Sequence, residues 1–208
     1  YGFYLLGGGN NGCRYDTVKN CTIKMSDSTS SRGVYLYSFS PSSFEGSNSF
    51  NAFINDTLIH CYNGYYFDNT TSTQSYYDSS NTIRGENGLK NVIRETRGWA
   101  SDVYGIYAVK QRNLICTNII IDSLSATTGD SYGIYISGLY SSAQVYGNSI
   151  SGVYSRGSTV NVCGLYNEYC VDFDAYQNTI NKIVYYGTSG GTATGIYSNG
   201  NTGIVSIY

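Results

Sequence analysis

The chain has 208 residues, a net charge of −2 and a sequence pI near 5.2. Charged residues make up only 12% of it, about half the usual share of roughly 25%, so uncharged side chains supply most of the polarity. We expect no nucleic-acid partner, because no run of Lys or Arg could follow a phosphate backbone, and no membrane span in this segment, because no stretch approaches the roughly 18 apolar residues that one requires.

A motif of Gly, an apolar residue and Tyr recurs seven times. Its glycines are separated by 31, 31, 41, 28, 31 and 31 residues. A unit of this length, with strand patterning and no helical period, cannot bury its own apolar face, so successive copies must stack. In chain order the motifs are Gly2-Phe3-Tyr4, Gly33-Val34-Tyr35, Gly64-Tyr65-Tyr66, Gly105-Ile106-Tyr107, Gly133-Ile134-Tyr135, Gly164-Leu165-Tyr166 and Gly195-Ile196-Tyr197.

A second, three-residue pattern follows each of the first six motifs: a polar residue, which is Asn in four of the six copies, then usually Thr or Ser, and then Ile or Leu. Asn at a repeated corner tolerates a left-handed backbone and hydrogen-bonds its equivalent in the next coil. The stretch between the two patterns varies in length and is typical of a corner loop. The six copies are Cys21-Thr22-Ile23, Asp56-Thr57-Leu58, Asn81-Thr82-Ile83, Asn118-Ile119-Ile120, Asn148-Ser149-Ile150 and Asn178-Thr179-Ile180.

These repeats predict an all-β fold, a right-handed parallel β-helix of about seven coils of roughly 31 residues. A β-propeller is the main rival, but its blades take about 40 residues or more. Alternation within a strand predicts that the apolar residue of each motif faces inward and that Gly and Tyr face outward. We expect the motif Tyr to be outward and stacked in at least five of the seven coils.

The predicted domain organisation is one β-helix segment over residues 1–208, a fragment of a longer chain, in which residues 67–103 include an expanded coil with a protruding loop. Both ends read as strand interiors. We therefore expect adjoining coils or caps of the same chain on either side, and we expect the isolated chain to stack end to end.

The alternation of Tyr104-Gly105-Ile106-Tyr107 with segments such as Tyr176-Gln177-Asn178-Thr179-Ile180 resembles the β-helix regions of large secreted surface proteins of Bacteroidota. Such proteins are typically exported by the type nine secretion system. The resemblance covers essentially the whole chain. It implies an extracellular or cell-surface location, with a signal peptide before this region and a sorting domain after it.

The sequence offers no convincing catalytic site. The nearest carboxylate cluster is Glu168, Asp172 and Asp174, and the two aspartates alternate around Phe173, so both could face one way on a strand. Hydrolysis of polygalacturonate needs an acid and a base across the scissile bond, and a lyase would use such carboxylates to hold calcium. No adjacent Asp pair or Gly-His-Gly accompanies the cluster, so we predict solvated carboxylates that are dispensable.

Metal and cofactor sites are not predicted. The six cysteines form no CxxC pair, and His60 is the only histidine, whereas zinc requires clustered thiols or imidazoles. Scattered Cys in a solenoid are more often small core residues. Disulfides stay possible if the chain is extracellular.

The expanded repeat is the most distinctive surface feature. Arg and Trp are enriched in binding hot spots, and this repeat holds the only Trp, Trp99, and half of the twelve basic residues. The favoured alternative is that Trp99 seals a coil beneath the loop while the charges keep the loop soluble. The basic residues are Arg84, Lys90, Arg94, Arg97, Lys110 and Arg112.

Three functions remain open. The leading one is a noncatalytic structural or adhesive module at the cell surface. The second is polysaccharide binding or processing, and the third, which rests on the resemblance, is association with a secretion or gliding machinery. Partners would then be surface glycans or other surface and secretion proteins. The candidate ligand-binding residues are Tyr35, Tyr66, Tyr107, Tyr135, Tyr166, Tyr197, Trp99, Arg94 and Arg97.

Overall fold

The computed structural model describes residues 1–26 and 30–208, which form a parallel β-solenoid. The all-β solenoid predicted from the repeats is confirmed, and the expected number of coils is roughly right at about six turns. Two short 3₁₀ helices cover Phe44–Gly46 and Gln74–Tyr76. The strands are β1 (Phe3–Gly9), β2 (Thr17–Lys19), β3 (Thr22–Lys24), β4 (Arg32–Pro41), β5 (Ala52–Ile54), β6 (Thr57–Ile59), β7 (Asn63–Asn69), β8 (Asp78–Ser79), β9 (Thr82–Arg84), β10 (Asn91–Gly98), β11 (Val103–Val109), β12 (Gln111–Arg112), β13 (Leu114–Thr117), β14 (Ile119–Ala126), β15 (Ser131–Tyr146), β16 (Ser149–Ser155), β17 (Asn161–Tyr176), β18 (Thr179–Tyr185), β19 (Thr192–Asn199) and β20 (Val205–Ile207).

Each coil contributes to three parallel sheets. The first sheet contains β1, β4, β7, β11, the first halves of β15 and β17, and β19. The second contains β2, β5, β9, β13, the second halves of β15 and β17, and β20. The third contains β3, β6, β10, β14, β16 and β18. One continuous apolar core lies between the sheets, because no single coil can bury its own apolar side.

The motif glycines face the interior, so the prediction that they lie outside with Tyr is wrong. A Cβ atom at Gly133 would lie 2.5 Å from the carbonyl oxygen of Gly164 and 2.6 Å from Cγ2 of Ile150 in the third sheet. The next residue, Ile134, is also fully buried, as predicted. The chain bends at glycine, so two successive residues point inward and strict alternation fails.

Five of the six copies of the second pattern lead into strands of the third sheet, but the copy Asn81-Thr82-Ile83 does not. It enters the second sheet through β9, which lies between β5 and β13. The equivalent third-sheet strand is β10, where Val92 pairs with Thr57. At this corner the predicted bond between coils is present: Nδ2 of Asn148 donates to Oδ1 of Asn178 at 3.0 Å.

The third sheet has a bend at the same position in five coils. It falls directly after β6 and within β10, β14, β16 and β18. At each bend one residue has a positive φ between 51° and 68°. Nε2 of His60 lies 3.1 Å from Oε2 of Glu95, so two of these bend residues bond along the stack. The bend residues are His60, Glu95, Ser123, Gly152 and Lys182.

Relative to the preceding coil, the coil from Gly64 to Gly105 has its ten extra residues in two places. Thr82 and Val92 are ten positions apart, whereas the paired Ala52 and Thr57 are five apart. Val92 and Gly105 are thirteen positions apart, whereas Thr57 and Gly64 are seven apart. The stretch from Gly64 to Thr82 is one residue shorter than its equivalent. In the next coil, by contrast, the corner between β13 and β14 is the single residue Asn118. The extra length therefore changes the rim of the solenoid without disturbing its core.

Candidate binding surfaces

The motif tyrosines form a stacked ladder along the outer side of the first sheet. In five of the six successive pairs the ring centroids are 4.2 to 5.3 Å apart and the interplanar angles are 6 to 13°. Each of the seven rings stacks on at least one neighbour, and none belongs to the apolar core. The predicted Tyr ladder is confirmed.

The ladder has one break, between Tyr35 and Tyr66, whose rings meet edge to face at 75°. The guanidinium carbon of Arg32 lies 4.2 Å from the ring centroid of Tyr35 and 4.1 Å from that of Tyr66. Nε of Arg32 is buried without a hydrogen-bond partner. The cation is held by the two aromatic faces, a contact worth about 2 kcal/mol or more when desolvated.

Self-stacking limits what the ladder can bind. The rings of Tyr66, Tyr107 and Tyr135 are partly buried against one another, and burial raises the pKa of each of these phenols. The hydroxyls therefore stay protonated at neutral pH, and the faces that a sugar would stack on are covered. These three inner rings therefore offer edges and hydroxyls rather than faces, whereas Tyr197 at the end of the ladder stacks on Tyr166 and is 38% exposed.

A second surface is a notch of about 290 Å³ on the outer side of the third sheet. Arg97 of β10, Ser125 of β14 and Tyr154 of β16 occupy one register position in three adjacent strands. Small residues form the floor at β14, and longer side chains rise on either side. The lining residues are Arg97, Ser125, Ala126, Thr127, Tyr154 and Arg156.

Trp99 does not seal a coil, so that interpretation is wrong. Its side chain is 65% exposed. Its backbone carbonyl accepts a hydrogen bond of 3.0 Å from Oγ1 of Thr128, next to the notch residue Thr127. The backbone of Trp99 therefore lies next to the notch, and its side chain is largely exposed.

The six basic residues of residues 84–112 do not form one patch. Nε of Arg84 pairs with Oε1 of Glu86 at 2.7 Å, and Nζ of Lys90 donates to Oδ1 of Asn118 at 2.9 Å. Arg94 is exposed and lies opposite Asp122 in the sheet register. Of the three basic or aromatic candidates in this region, only Arg97 lines the notch.

A third surface is a pocket of about 270 Å³ on the outer side of the second sheet, which contains the two candidate aspartates. Asp172 and Asp174 both line it, together with Ser142 and Gln144 of the preceding coil. Glu168 lies in the first sheet, where it pairs with Ser137, and does not line this pocket. The predicted cluster of three carboxylates is thus divided between two sheets.

Sequence reasoning missed a buried carboxylate at the first corner. Both oxygens of Asp78 accept hydrogen bonds. Oδ1 accepts three, from Oγ of Ser38 at 2.7 Å, the backbone N of Asn48 at 2.9 Å and Nδ2 of Asn69 at 2.9 Å. Oδ2 accepts one, from Nε2 of Gln111 at 3.1 Å. Burial raises the pKa of Asp78 to about 6, and these four donors oppose the rise. The network fastens the long corners of two coils. Only the assembled coils bring its members together, since they are up to 73 positions apart in the sequence.

The cysteines behave as core residues, as predicted. Cys61, Cys116, Cys163 and Cys170 are buried, and the other two pack partly against the core. Burial raises the pKa of Cys116 to about 12. Across residues 1–26 and 30–208 none of the six cysteines forms a disulfide, and no group of three or more His, Cys, Asp or Glu is placed to hold a metal ion.

Comparisons with protein-family models, curated proteins and solved structures found no match to this chain. Among the described residues no helix has the length and apolarity needed to cross a membrane.

Proposed function

We propose that this chain is a noncatalytic β-solenoid module of an extracellular or cell-surface protein, with a structural and adhesive role. The observation that carries the proposal is that polar side chains make their hydrogen bonds between coils. Among the described residues they bond mainly to the coil above or below, as Oδ1 of Asn81 does with the backbone N of Asn51 and Oδ1 of Asn148 with the backbone N of Ile119.

Corner residues illustrate this use of polarity. Oδ1 of Asp130 accepts a hydrogen bond of 2.8 Å from the backbone N of Asn161, one coil further on, and its Oδ2 accepts one of 2.7 Å from the hydroxyl of Tyr132. The carboxylate is thus engaged on both oxygens. Together with the Tyr ladder and the Asp78 network, such bonds tie each coil to the next, which suits a stiff rod whose side surfaces are free for contact.

A binding assay with a chain-length readout tests the proposal. The chain would be incubated with polygalacturonate, dextran sulfate and neutral dextran, and both the bound fraction and the polymer length would be measured by size-exclusion chromatography. We expect at least one polymer to be retained and none to be shortened. Shortening that disappears in an Asp172→Asn/Asp174→Asn variant would contradict the noncatalytic role.

The pocket containing Asp172 and Asp174 favours polysaccharide processing as a second candidate function. The two carboxylates stand beside the Gln144 amide and the Ser142 hydroxyl, groups that also bind sugar hydroxyls. The same length assay separates the two functions, since processing shortens the polymer and adhesion does not.

The proposed surface location has its own test. Protease treatment of intact source cells should remove this segment from the cell, as detected by an antibody raised against the chain. A segment that survives until the cells are lysed would contradict the location.

A further inference from the structure

We propose that the notch lined by Arg97, Tyr154 and Arg156 binds an acidic saccharide, one that carries carboxylate or sulfate groups. This inference rests on the proposed adhesive function and names the ligand class of that function. Four observations support it: the shape of the notch, its unpaired cations, its uncharged floor and the pairing of its strands.

The shape follows from the side chains of three adjacent strands. Neighbouring parallel strands are about 4.8 Å apart, so β10 and β16, which flank β14, are separated by about 10 Å. The side chains of Ser125 and Ala126 in β14 and of Thr127 just after it are too short to fill the space between Arg97 and Tyr154. The result is a trough across the sheet with a volume of about 290 Å³.

The charge of the notch is positive although the chain is negative overall. Arg97 and Arg156 are both exposed, and neither pairs with a carboxylate among the described residues. Lys19 and Arg84, by contrast, both bind Glu86. A planar guanidinium binds carboxylate or sulfate oxygens through two parallel hydrogen bonds, so two such groups on opposite walls suit a ligand with repeated anionic groups.

The remaining groups favour a sugar. Ser125 and Thr127 add hydroxyls to the floor, and the rings of Tyr154 and Tyr186 lie edge to face at 6.1 Å, with Tyr186 60% exposed. Trp99, which is exposed, follows β10 and bonds through its backbone carbonyl to Thr128, the neighbour of Thr127. Hydroxyl groups beside amphipathic rings match the alternating hydroxyl and C–H surfaces of a saccharide.

The strand pairing disfavours an acidic peptide. An extended peptide binds a sheet by adding a strand to an open edge. The strands of the notch have no open edge, because β10 pairs with β6 and β14, and β16 pairs with β14 and β18. A peptide could use only side-chain contacts here, whereas a saccharide needs no backbone pairing.

Charge-matched variants test the site. Binding of fluorescent dextran sulfate and of polygalacturonate would be measured for the wild type, for Arg97→Gln/Arg156→Gln and for the control Arg94→Gln/Arg112→Gln. Both variants lose two positive charges, but only the first alters the notch. We expect the notch variant to weaken binding at least about tenfold and the control variant to change it by less than about twofold, with unchanged melting temperatures for both.

A third variant, Tyr154→Ala, keeps every charge and should weaken dextran sulfate binding about threefold or more through the lost ring. Equal losses in the two arginine variants would overturn the site, as would equally tight binding of neutral dextran. Poly-glutamate binding as tightly as the acidic saccharides would overturn the ligand class. If the wild type binds neither acidic polymer, this inference fails and the structural role stands, whereas polymer shortening would refute the noncatalytic function itself.

Discussion

Replacement of a motif glycine by alanine should destabilise the solenoid, and Gly133 is the clearest case. The new methyl group would lie 2.5 Å from the carbonyl oxygen of Gly164 and 2.6 Å from Cγ2 of Ile150. Ordinary van der Waals contact begins near 3.4 Å, so two neighbours in different sheets would have to move by nearly 1 Å. One of them is backbone, and the residues on either side of it, Cys163 and Leu165, are paired with strands of both adjacent coils.

The expected magnitude follows from known costs of overpacking. Extra methyl groups in a packed interior cost about 1 to 3 kcal/mol, and displacement of the Gly164 backbone strains the hydrogen bonds of the paired residues beside it, each worth about 1 kcal/mol. We therefore expect Gly133→Ala to lower the free energy of unfolding by about 3 kcal/mol. For a chain of this length that corresponds to a fall in melting temperature of roughly 6 to 12 °C.

Gly195 provides a matched control, because it occupies the same motif position but a Cβ there meets no atom within 4 Å. Gly195→Ala should change stability by less than about 0.5 kcal/mol. Urea unfolding followed by circular dichroism measures both variants. A Gly133→Ala protein as stable as the wild type, or a Gly195→Ala protein destabilised to the same extent, would refute the argument that the glycines are required by close packing.

Three further predictions concern charge, the ladder and the tryptophan. The pKa of Asp78 is raised from 3.8 to about 6 by burial, so the folded state retains this proton to higher pH than the unfolded state, and stability falls as pH rises between about 4 and 6. The stability of the wild type relative to Asp78→Asn should therefore fall by up to about 3 kcal/mol between pH 4 and pH 7 in urea titrations, and a pH-independent difference would contradict this. Arg32→Ala should lower the free energy of unfolding by about 2 kcal/mol. Arg32→Met should lower it by less, because Met keeps the packing between Tyr35 and Tyr66 and removes only the charge. Equal losses in the two variants would contradict a contribution from packing. Trp99 should be readily quenched by acrylamide in the native state, with Trp99→Phe leaving stability within about 0.5 kcal/mol; a protected indole would contradict its exposure.

The fold could be predicted because its main signal is repetition. Seven spaced copies of Gly-apolar-Tyr place equivalent residues above one another whatever the corner loops do. The stacking of Tyr66 on Tyr107, 41 positions away, follows from that alignment alone. The direction of the glycines could not be predicted, because simple alternation fails where the chain bends.

The candidate binding surface could be predicted only in part. Arg97 was identified from its local composition, but Arg156 and Tyr154 were not, since they lie in a coil without an unusual concentration of charge. The notch becomes visible only when Arg97, Ser125 and Tyr154 are placed at the same register position. That placement requires knowing that β10 pairs with β14. The misplaced Asn81 shows how easily such an alignment shifts by one corner.

The sequence by itself determined the solenoid, the ladder of motif tyrosines and the buried apolar residue of the five inner motifs, because these properties repeat from coil to coil and depend on local patterning. The tertiary structure decided what differs between coils: the Arg32 contact that interrupts the ladder, the buried Asp78 network, the separation of Glu168 from Asp172, and the notch at Arg97. Each of these depends on contacts between residues of different coils, and the lengths of the corners set which residues meet. The corners on either side of the first sheet vary in length from coil to coil, so only the folded coils show which side chains become neighbours.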